Sequence, residues 1–430
     1  MTARARARRL AAAGARPGGR RAPPARYTHV CREKCHFAAP DGRLTAHPGA
    51  GSGNLAGMST ATRRSPLTDW TLLVPVVALV ALVFSWGRDL PGFAVALVAL
   101  CLAGAVLAAV HHAEVVAHRV GEPFGSLVLA VAVTVIEVAL IVTLMADGGD
   151  KTASLARDTV FAAVMITCNG IVGLSLLVGA LRNRVAVFNA EGSGAALATV
   201  ATLAVLSLVL PTFTTSKPGP EFSSAQLTFA AVTSLALYGL FIAVQTVRHR
   251  DYFLPVDTGT TGSGSASGPA DDDHAEPPTA RAALVSLGLL FVALVAVVGN
   301  AKAVSPTIEK GVSDAGLPHA VVGVIIALLV LAPETLAAVR AARRDRVQTS
   351  LNLAYGSAIA SIGLTIPAIA LASVWLTGPL VLGLAPLHMV LLALTVVVGA
   401  LTIVPGRATL LQGGVHLVLL AAYLFLAVSP

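Results

Sequence analysis

The chain has 430 residues, of which 55% are hydrophobic and only 12% are charged. Ordinary soluble domains carry about 25% charged residues, so this composition excludes a soluble globular protein and predicts an integral membrane protein. The net charge of +8 comes from the first 68 residues, where 13 Lys and Arg face two acids. The rest of the chain is slightly acidic, which gives no basis for nucleic-acid binding.

Residues 1–68 are rich in Ala, Arg, Gly and Pro and have almost no apolar periodicity. Such a segment cannot bury enough apolar surface to order itself, so we predict a disordered tail outside the fold. Translation from Met58 is the alternative interpretation, under which residues 1–57 are not translated.

Eleven apolar runs follow the tail, and most are long enough to cross a bilayer core of roughly 30 Å as helices. We place them at residues 70–85, 92–110, 124–145, 159–181, 194–213, 225–247, 282–298, 320–339, 351–376, 387–404 and 409–428. The first and seventh runs are short for a membrane span.

A hydrophilic segment, residues 251–281, separates the sixth run from the seventh. It contains a Gly/Ser-rich stretch and four nearby acids, which is typical of a flexible solvated linker. The acids are Asp271, Asp272, Asp273 and Glu276. A weak regulatory cation-binding patch is the alternative. We therefore predict a first transmembrane half over residues 70–250 and a second over residues 282–430.

Basic residues lie unequally at the ends of the runs. With the N-terminus in the cytoplasm, the cytoplasmic loops carry eleven Lys or Arg and the opposite loops carry six, as the positive-inside rule predicts. The cytoplasmic set is Arg119, Arg182, Arg184, Arg248, Arg250, Arg281, Arg340, Arg343, Arg344, Arg346 and Arg407, and the opposite set is Arg88, Lys151, Arg157, Lys217, Lys302 and Lys310. Eleven spans place the C-terminus outside the cell.

An internal repeat joins the two halves. Gly-x-Pro begins a stretch at Gly121 and again at Gly316, and each stretch runs into one intramembrane glutamate, Glu137 or Glu334. A carboxylate at bilayer depth costs roughly 2.5–3.5 kcal/mol on insertion scales, so such residues are mostly functional. A structural helix–helix hydrogen bond is the alternative. Without the first run the spans form two groups of five, which have opposite topology because five is odd.

Inverted repeats place a substrate site near the bilayer midplane, where the halves meet. Two facing carboxylates there suit one small divalent cation such as calcium, which takes about six to eight oxygen ligands. Candidate supporting ligands are Thr134, Asn169, Ser357, Ser361, Thr365 and a backbone carbonyl that Pro333 frees. For any single hydroxyl, bonding within its own helix is the alternative. Because either a cation or protons can neutralise the pair, the pattern predicts exchange of one for the other.

Histidines occur near the ends of several runs. We expect His111, His112 and His118 in a solvated cytoplasmic loop, with a pH sensor as the alternative. His388 and His416 are expected in interfacial packing. The sequence has no phosphate-binding Gly-x-x-x-x-Gly-Lys loop and no paired Asp or Ser/His within a run, which disfavours an ATP-driven pump and an intramembrane hydrolase. A channel is a third possibility.

Two stretches carry a family resemblance. The first, GEPFGSLVLAVAVTVIEVALI, and the second, LAPETLAAVRAARRDRVQTSLNLAYGSAIASIGLTIPAI, resemble the two alpha-repeats of bacterial Cha-type calcium/proton antiporters. These antiporters belong to the calcium/cation antiporter superfamily with the sodium/calcium exchangers. The resemblance covers roughly residues 70–430. It implies that Glu137 and Glu334 coordinate the transported cation and that Gly356 and Ser357 open the following helix of the second repeat.

The resemblance has departures. Thr134-Val135-Ile136 and Leu331-Ala332-Pro333 stand where broader family members have Gly-Asn-Ala. We predict an all-α polytopic membrane protein with one extra N-terminal helix and two inverted five-helix repeats. It is expected to act as a secondary active calcium:proton antiporter in the bacterial inner membrane. A sodium or potassium/proton antiporter on the same fold is the alternative. The expected partners are inorganic cations, protons and the lipid bilayer, and neither enzymatic activity nor a resident cofactor is expected.

Overall fold

The computed structural model describes residues 70–88, 90–121, 124–146, 153–256, 278–375 and 378–429. The predicted tail and most of the predicted linker, including its four acids, lie outside the described residues. The division of the chain into a tail, two halves and a linker therefore stays a prediction.

Eleven helices make up nearly all of the described chain. They are α1 Trp70–Ser85, α2 Gly92–Val120, α3 Phe124–Met145, α4 Leu155–Asn183, α5 Ala190–Phe213, α6 Ser224–Arg248, α7 Ala280–Asp314, α8 Ala320–Arg343, α9 Val347–Ala372, α10 Pro386–Ile403 and α11 Leu410–Val428. Within the described residues, nine are long and apolar enough to cross a membrane, and Trp70–Ser85 and Val131–Met145 are shorter apolar segments. The predicted all-α polytopic fold is confirmed.

Local sequence explains where these helices begin and end. The chain leaves α2 at Gly121 and turns after α7 at Gly316, both with positive φ, which glycine adopts at little cost. Asn189 caps α5 by accepting from two backbone N–H groups, and Ser223 caps α6 in a capping box. Three helices contain a π-helical turn: Ile166–Ile171 in α4, Val205–Val209 in α5 and Val244–Arg248 in α6.

Two helices are longer than the sequence predicted. α2 continues to Val120 and α7, the supposedly short seventh run, has 35 residues. The expected loop around His111, His112 and His118 is therefore wrong, since all three lie on α2. Lys302 and Lys310 likewise lie within α7 rather than in a loop. In both regions polar residues reduce the hydropathy, but the extension of α2 after Val110 meets no Gly or Pro before Gly121, and α7 accommodates its one internal proline.

The buried apolar residues form two main clusters. The bundle core is built on α4, α5, α6, α9, α10 and α11, and includes Phe161, Leu176, Leu203, Tyr355 and Ile359. The α1–α2–α7 unit is built on those three helices and includes Ala78, Ala105, Val106, Ala293 and Ala296. Helices α3 and α8 contribute side chains to both clusters. The helices that carry the two glutamates therefore lie along the seam between them.

Each helix packs against helices of the other half in the way that its counterpart does. α9 packs between α3 and α6, and its counterpart in the first half, α4, packs between α8 and α11. α2 packs against its own counterpart, α7. This is the arrangement that two related five-helix groups produce when they interlock.

The loops also pair across the halves. Strand β1, Ala186–Val187 after α4, pairs antiparallel with β2, Arg407–Ala408 before α11. A second bridge joins Glu221, after α5, to Val381, after α9. The α4–α5 and α10–α11 loops therefore share one face of the protein, and the α5–α6 and α9–α10 loops share another. Eleven alternating spans predict this same grouping.

Candidate cation site

Glu137 occupies the middle of α3 and is 5% exposed. The Oγ of Ser361, on α9, donates a hydrogen bond of 2.7 Å to its Oε1. A hydrogen bond to a buried carboxylate is stronger than one between neutral groups. This contact links a glutamate of the first half to a hydroxyl of the second, and both residues belong to the predicted site.

Glu334 lies on α8 and is 8% exposed. Its Oε2 has no hydrogen-bond partner among the described residues. Its helix, α8, contacts α3, which carries Glu137. Pro333 precedes Glu334 inside the helix, and because proline has no N–H, the carbonyl of Leu329 loses its α-helical donor. An open carboxylate oxygen and a freed carbonyl on one helix are acceptors that suit a cation.

The hydroxyl groups that the sequence predicted as ligands differ in burial and in hydrogen bonding. On α9, Ser357 is half-buried, while Thr365 is fully buried with an Oγ1 that has no partner within the described part of the chain. Thr134 is buried on α3, one turn before Glu137. Thr134 shares α3 with Glu137, and Ser357 and Thr365 share α9 with Ser361; the role of these residues as cation ligands stays a prediction.

Asn169 makes hydrogen bonds with two other helices. It lies in the π-helical turn of α4, where Nδ2 donates to Oγ1 of Thr395 on α10 at 2.9 Å. Its Oδ1 is 3.2 Å from Nδ1 of His416 on α11. Since Nδ2 is the donor to Thr395, Oδ1 accepts from Nδ1–H of the histidine. The amide that the sequence proposed as a cation ligand is thus bonded to α10 and α11.

Sequence reasoning missed the role of His416. Interfacial packing was expected, but the side chain is 1% exposed, and its Nε2 is 3.2 Å from Oγ1 of Thr402. The close crossing of α4 and α11 brings His416 inside: a Cβ on Gly413 would lie 2.7 Å from the backbone N of Leu177. The available signal was the Gly413-Gly414 pair one turn before the histidine, because small residues let membrane helices approach closely.

The two buried carboxylates can hold one divalent cation, or two protons, with the same total charge. The described residues contain no group of three or more His, Cys, Asp or Glu side chains that could hold a metal ion. A cation here would therefore rely on Glu137 and Glu334 together with hydroxyl, carbonyl and water oxygens. Weak, exchangeable ligation of that kind suits a transported ion better than a permanently bound one.

Comparisons with known proteins extend this description. Residues 90–247 and 285–429 match the family described as "Sodium/calcium exchanger protein". A protein of Sinorhizobium fredii named "Putative ionic transporter y4hA" is 45% identical over 368 residues, which cover 84% of this chain and 96% of that protein. The sodium-potassium/proton antiporter ChaA of Escherichia coli is 36% identical over 315 residues, which cover 72% of this chain and 82% of that protein.

A solved structure of the H+/Ca2+ exchanger CAX has a similar fold. Its TM-score is 0.60 at 17% sequence identity, with 83% of this chain and 87% of that chain covered. The family match spans both halves and leaves out the segment between α6 and α7. The chain is therefore a membrane protein that belongs to the sodium/calcium exchanger family.

Proposed function

We propose that this protein, a cation/proton antiporter of the calcium/cation exchanger superfamily, exports cytoplasmic calcium in exchange for external protons by alternating access. The transported ions are substrates held at Glu137 and Glu334, and the proton gradient supplies the free energy. The relatives found are transporters, in agreement with the expectation that the chain is not an enzyme.

The observation that carries this proposal is the buried pair of carboxylates at the seam between the two apolar clusters. Glu137 is bonded across the halves to Ser361, and Glu334 keeps an oxygen without a partner among the described residues. Two buried negative charges are unfavourable unless a cation or protons neutralise them. One calcium ion and two protons supply the same charge, so binding of one excludes the other.

Sodium or potassium/proton exchange on the same site is the second candidate. The ChaA relative, named a sodium-potassium/proton antiporter, covers 72% of this chain at 36% identity. In addition, Asn169 is hydrogen-bonded to α10 and α11. A site with few fixed side-chain oxygens discriminates less between cations than a complete oxygen cage.

We also propose the orientation. Arg182, Arg343 and Arg407 lie on the face formed by the α4–α5, α8–α9 and α10–α11 connections, where Arg182 donates to the backbone of Arg343. Basic residues are enriched on the cytoplasmic side. This face is therefore cytoplasmic, as is the N-terminus, and the C-terminus is external.

Ion-driven pH changes in everted membrane vesicles test the proposal. Respiration acidifies the vesicle interior, and added calcium should collapse that gradient only when the protein is present. Parallel additions of sodium and potassium measure the second candidate. Glu137→Gln and Glu334→Gln should each abolish the response, at least about 100-fold, because a neutral amide supplies no charge for the cation and carries no exchangeable acid proton.

Glu191→Gln serves as the matched control, since Glu191 is an exposed carboxylate in the first turn of α5. It should exchange ions like the original chain. Normal exchange by both intramembrane glutamine variants would overturn the site, and a response to none of the three cations would overturn the function.

A further inference from the structure

α1 lies outside the repeats and contacts the first helix of both halves, α2 and α7. Each of those helices presents a glycine to an α1 side chain. A Cβ on Gly104 of α2 would lie 3.0 Å from Cγ1 of Val74, and a Cβ on Gly299 of α7 would lie 2.5 Å from Cδ1 of Leu82. The missing side chains at these two positions let α1 settle between α2 and α7.

A proline in α1 opens a hydrogen-bonding position toward α2. Pro75 has no N–H, so the Thr71 carbonyl, four residues earlier, lacks its α-helical donor. The Nε2 of His112 lies 2.9 Å from that carbonyl oxygen. Because a carbonyl only accepts, Nε2–H of the buried histidine is the donor. A buried carbonyl without a donor is costly, so this contact stabilises the position of α1.

The second half supplies a similar contact. Nδ2 of Asn300, a fully buried residue of α7, donates to the carbonyl oxygen of Ala78 at 2.8 Å. Thr71 and Ala78 are seven residues apart, which is about two turns of α1. Each half therefore gives α1 one side-chain donor and one glycine contact.

The α1–α2–α7 unit packs against α3 and α8, the helices that carry the glutamates. Its apolar cluster includes Ile136, the neighbour of Glu137, and Val330, one turn before Glu334. Interiors of proteins are close-packed, so a shift of α2 relative to α7 changes the positions of α3 and α8. The spacing of the two carboxylates thus depends on how firmly α2 and α7 are held together.

We propose that α1 holds the two halves together and that His112 and Asn300 are positioning residues for the cation site. This inference rests on the proposed function of Glu137 and Glu334. Neither positioning residue touches the ion. Each acts through the backbone of α1, and α1 sets the separation of the helices that carry the carboxylates.

A variant cycle tests the contact with the Thr71 carbonyl. His112→Phe keeps a ring and removes the donor, and should raise the half-saturating cation concentration about threefold, the size of a typical buried membrane hydrogen bond, with the maximal rate unchanged. His112→Gln keeps a donor and should restore the original value. Pro75→Ala returns an N–H to α1, so in that background His112→Phe should have no further effect.

His118→Phe is the matched control, because His118 lies exposed on the same helix. Asn300→Leu tests the second contact and should give a similar rise that Pro75→Ala does not correct. A His112→Phe effect of equal size in both backgrounds would overturn the proposal, as would unchanged half-saturation in both His112→Phe and Asn300→Leu.

The thermal unfolding midpoint of the purified protein gives a readout that needs no transport. The same cycle should be non-additive there, because the hydrogen bond stabilises the fold whichever cation is carried. Non-additive unfolding with unchanged half-saturation in every variant would mean a purely structural contact and would overturn the positioning role. If the original chain shows no exchange but the unfolding cycle is non-additive, the proposed function would be overturned. The inference that α1 holds the two halves together would then stand.

Discussion

Two corresponding groups of helices surround the candidate site, and they use their polar side chains differently. In one group α9 lies between α3 and α6, and its Ser361 bonds inward to Glu137. In the other, α4 lies between α8 and α11, and its Asn169 bonds outward to His416. Related sequences can thus share a helix arrangement while the middle helix of one group bonds to a glutamate of the candidate site and the middle helix of the other bonds to neighbouring helices.

The difference begins in the backbone of α4. Ile166–Ile171 forms a π-helical turn that contains Asn169, whereas α9 is regular through Ser361. A π-helical turn holds an extra residue, which rotates the following side chains by about 100° around the helix axis. Asn169 thus lies in an irregular turn where Ser361 lies in regular helix, and three predictions probe the contrast.

Ser361→Ala carries the largest expected effect of the three. It removes a 2.7 Å hydrogen bond to a buried carboxylate, and hydrogen bonds to charged groups contribute about 1.5–3 kcal/mol. The half-saturating calcium concentration in everted vesicles should rise by about tenfold or more.

Ser373→Ala is the control for this change, since Ser373 follows the last residue of α9 and bonds only its own helix backbone. Equal half-saturation in Ser361→Ala and the original chain would show that α9 does not serve the ion, and the contrast between the two groups would disappear.

Asn169→Ala should affect stability more than transport. The change leaves His416 and Thr395 with one partner fewer in a buried position, at a cost of about 1–3 kcal/mol. We expect a lower unfolding midpoint in detergent and a half-saturating cation concentration within about twofold of the original.

Thr202→Ala provides the comparison for this variant, because the exposed Thr202 bonds only the carbonyl one turn earlier. If Asn169→Ala instead weakened cation binding tenfold at unchanged stability, Asn169 would be a ligand, as the sequence predicted, and the two groups would be alike.

Tyr238→Phe has the smallest expected effect. The ring of Tyr238 packs on α9, where a Cβ on Gly363 would lie 2.8 Å from the tyrosine Cβ, but its hydroxyl has no partner among the described residues. Removing a buried hydroxyl without a partner is neutral or slightly stabilising. Thermal unfolding should show an equal or higher midpoint. A clear decrease would show that the hydroxyl makes a stabilising contact, so that the α9 group, like the α4 group, uses polar side chains to hold its helices together.

The sequence predicted more of the fold than of the contacts. Hydropathy located all eleven helices, and the repeated glutamates identified α3 and α8, because a lone carboxylate in an apolar run has few structural explanations. The spacing of Ser357, Ser361 and Thr365 placed one face of α9, since residues four apart lie on the same side of a helix.

The remaining features depend on geometry that composition does not encode. A π-helical turn has no clear residue signature, so the direction of Asn169 was not predictable. The ends of α2 and α7 were misplaced because polar residues such as His112 continue a helix when a neighbouring backbone accepts their hydrogen bonds. Long-range partners of this kind follow from the packing of helices distant in sequence.

The burial of α4 bears on how the protein is made. Its most apolar window is 89% buried inside the protein, against 28% for α6, α7 and α11. Yet its neighbours α8, α9 and α11 are all synthesised after the hydrophilic segment that follows α6. α4 is therefore synthesised before these packing partners, and the first half alone leaves its most interior helix uncovered by them. Assembly of the ion pathway is completed only when the last helix arrives.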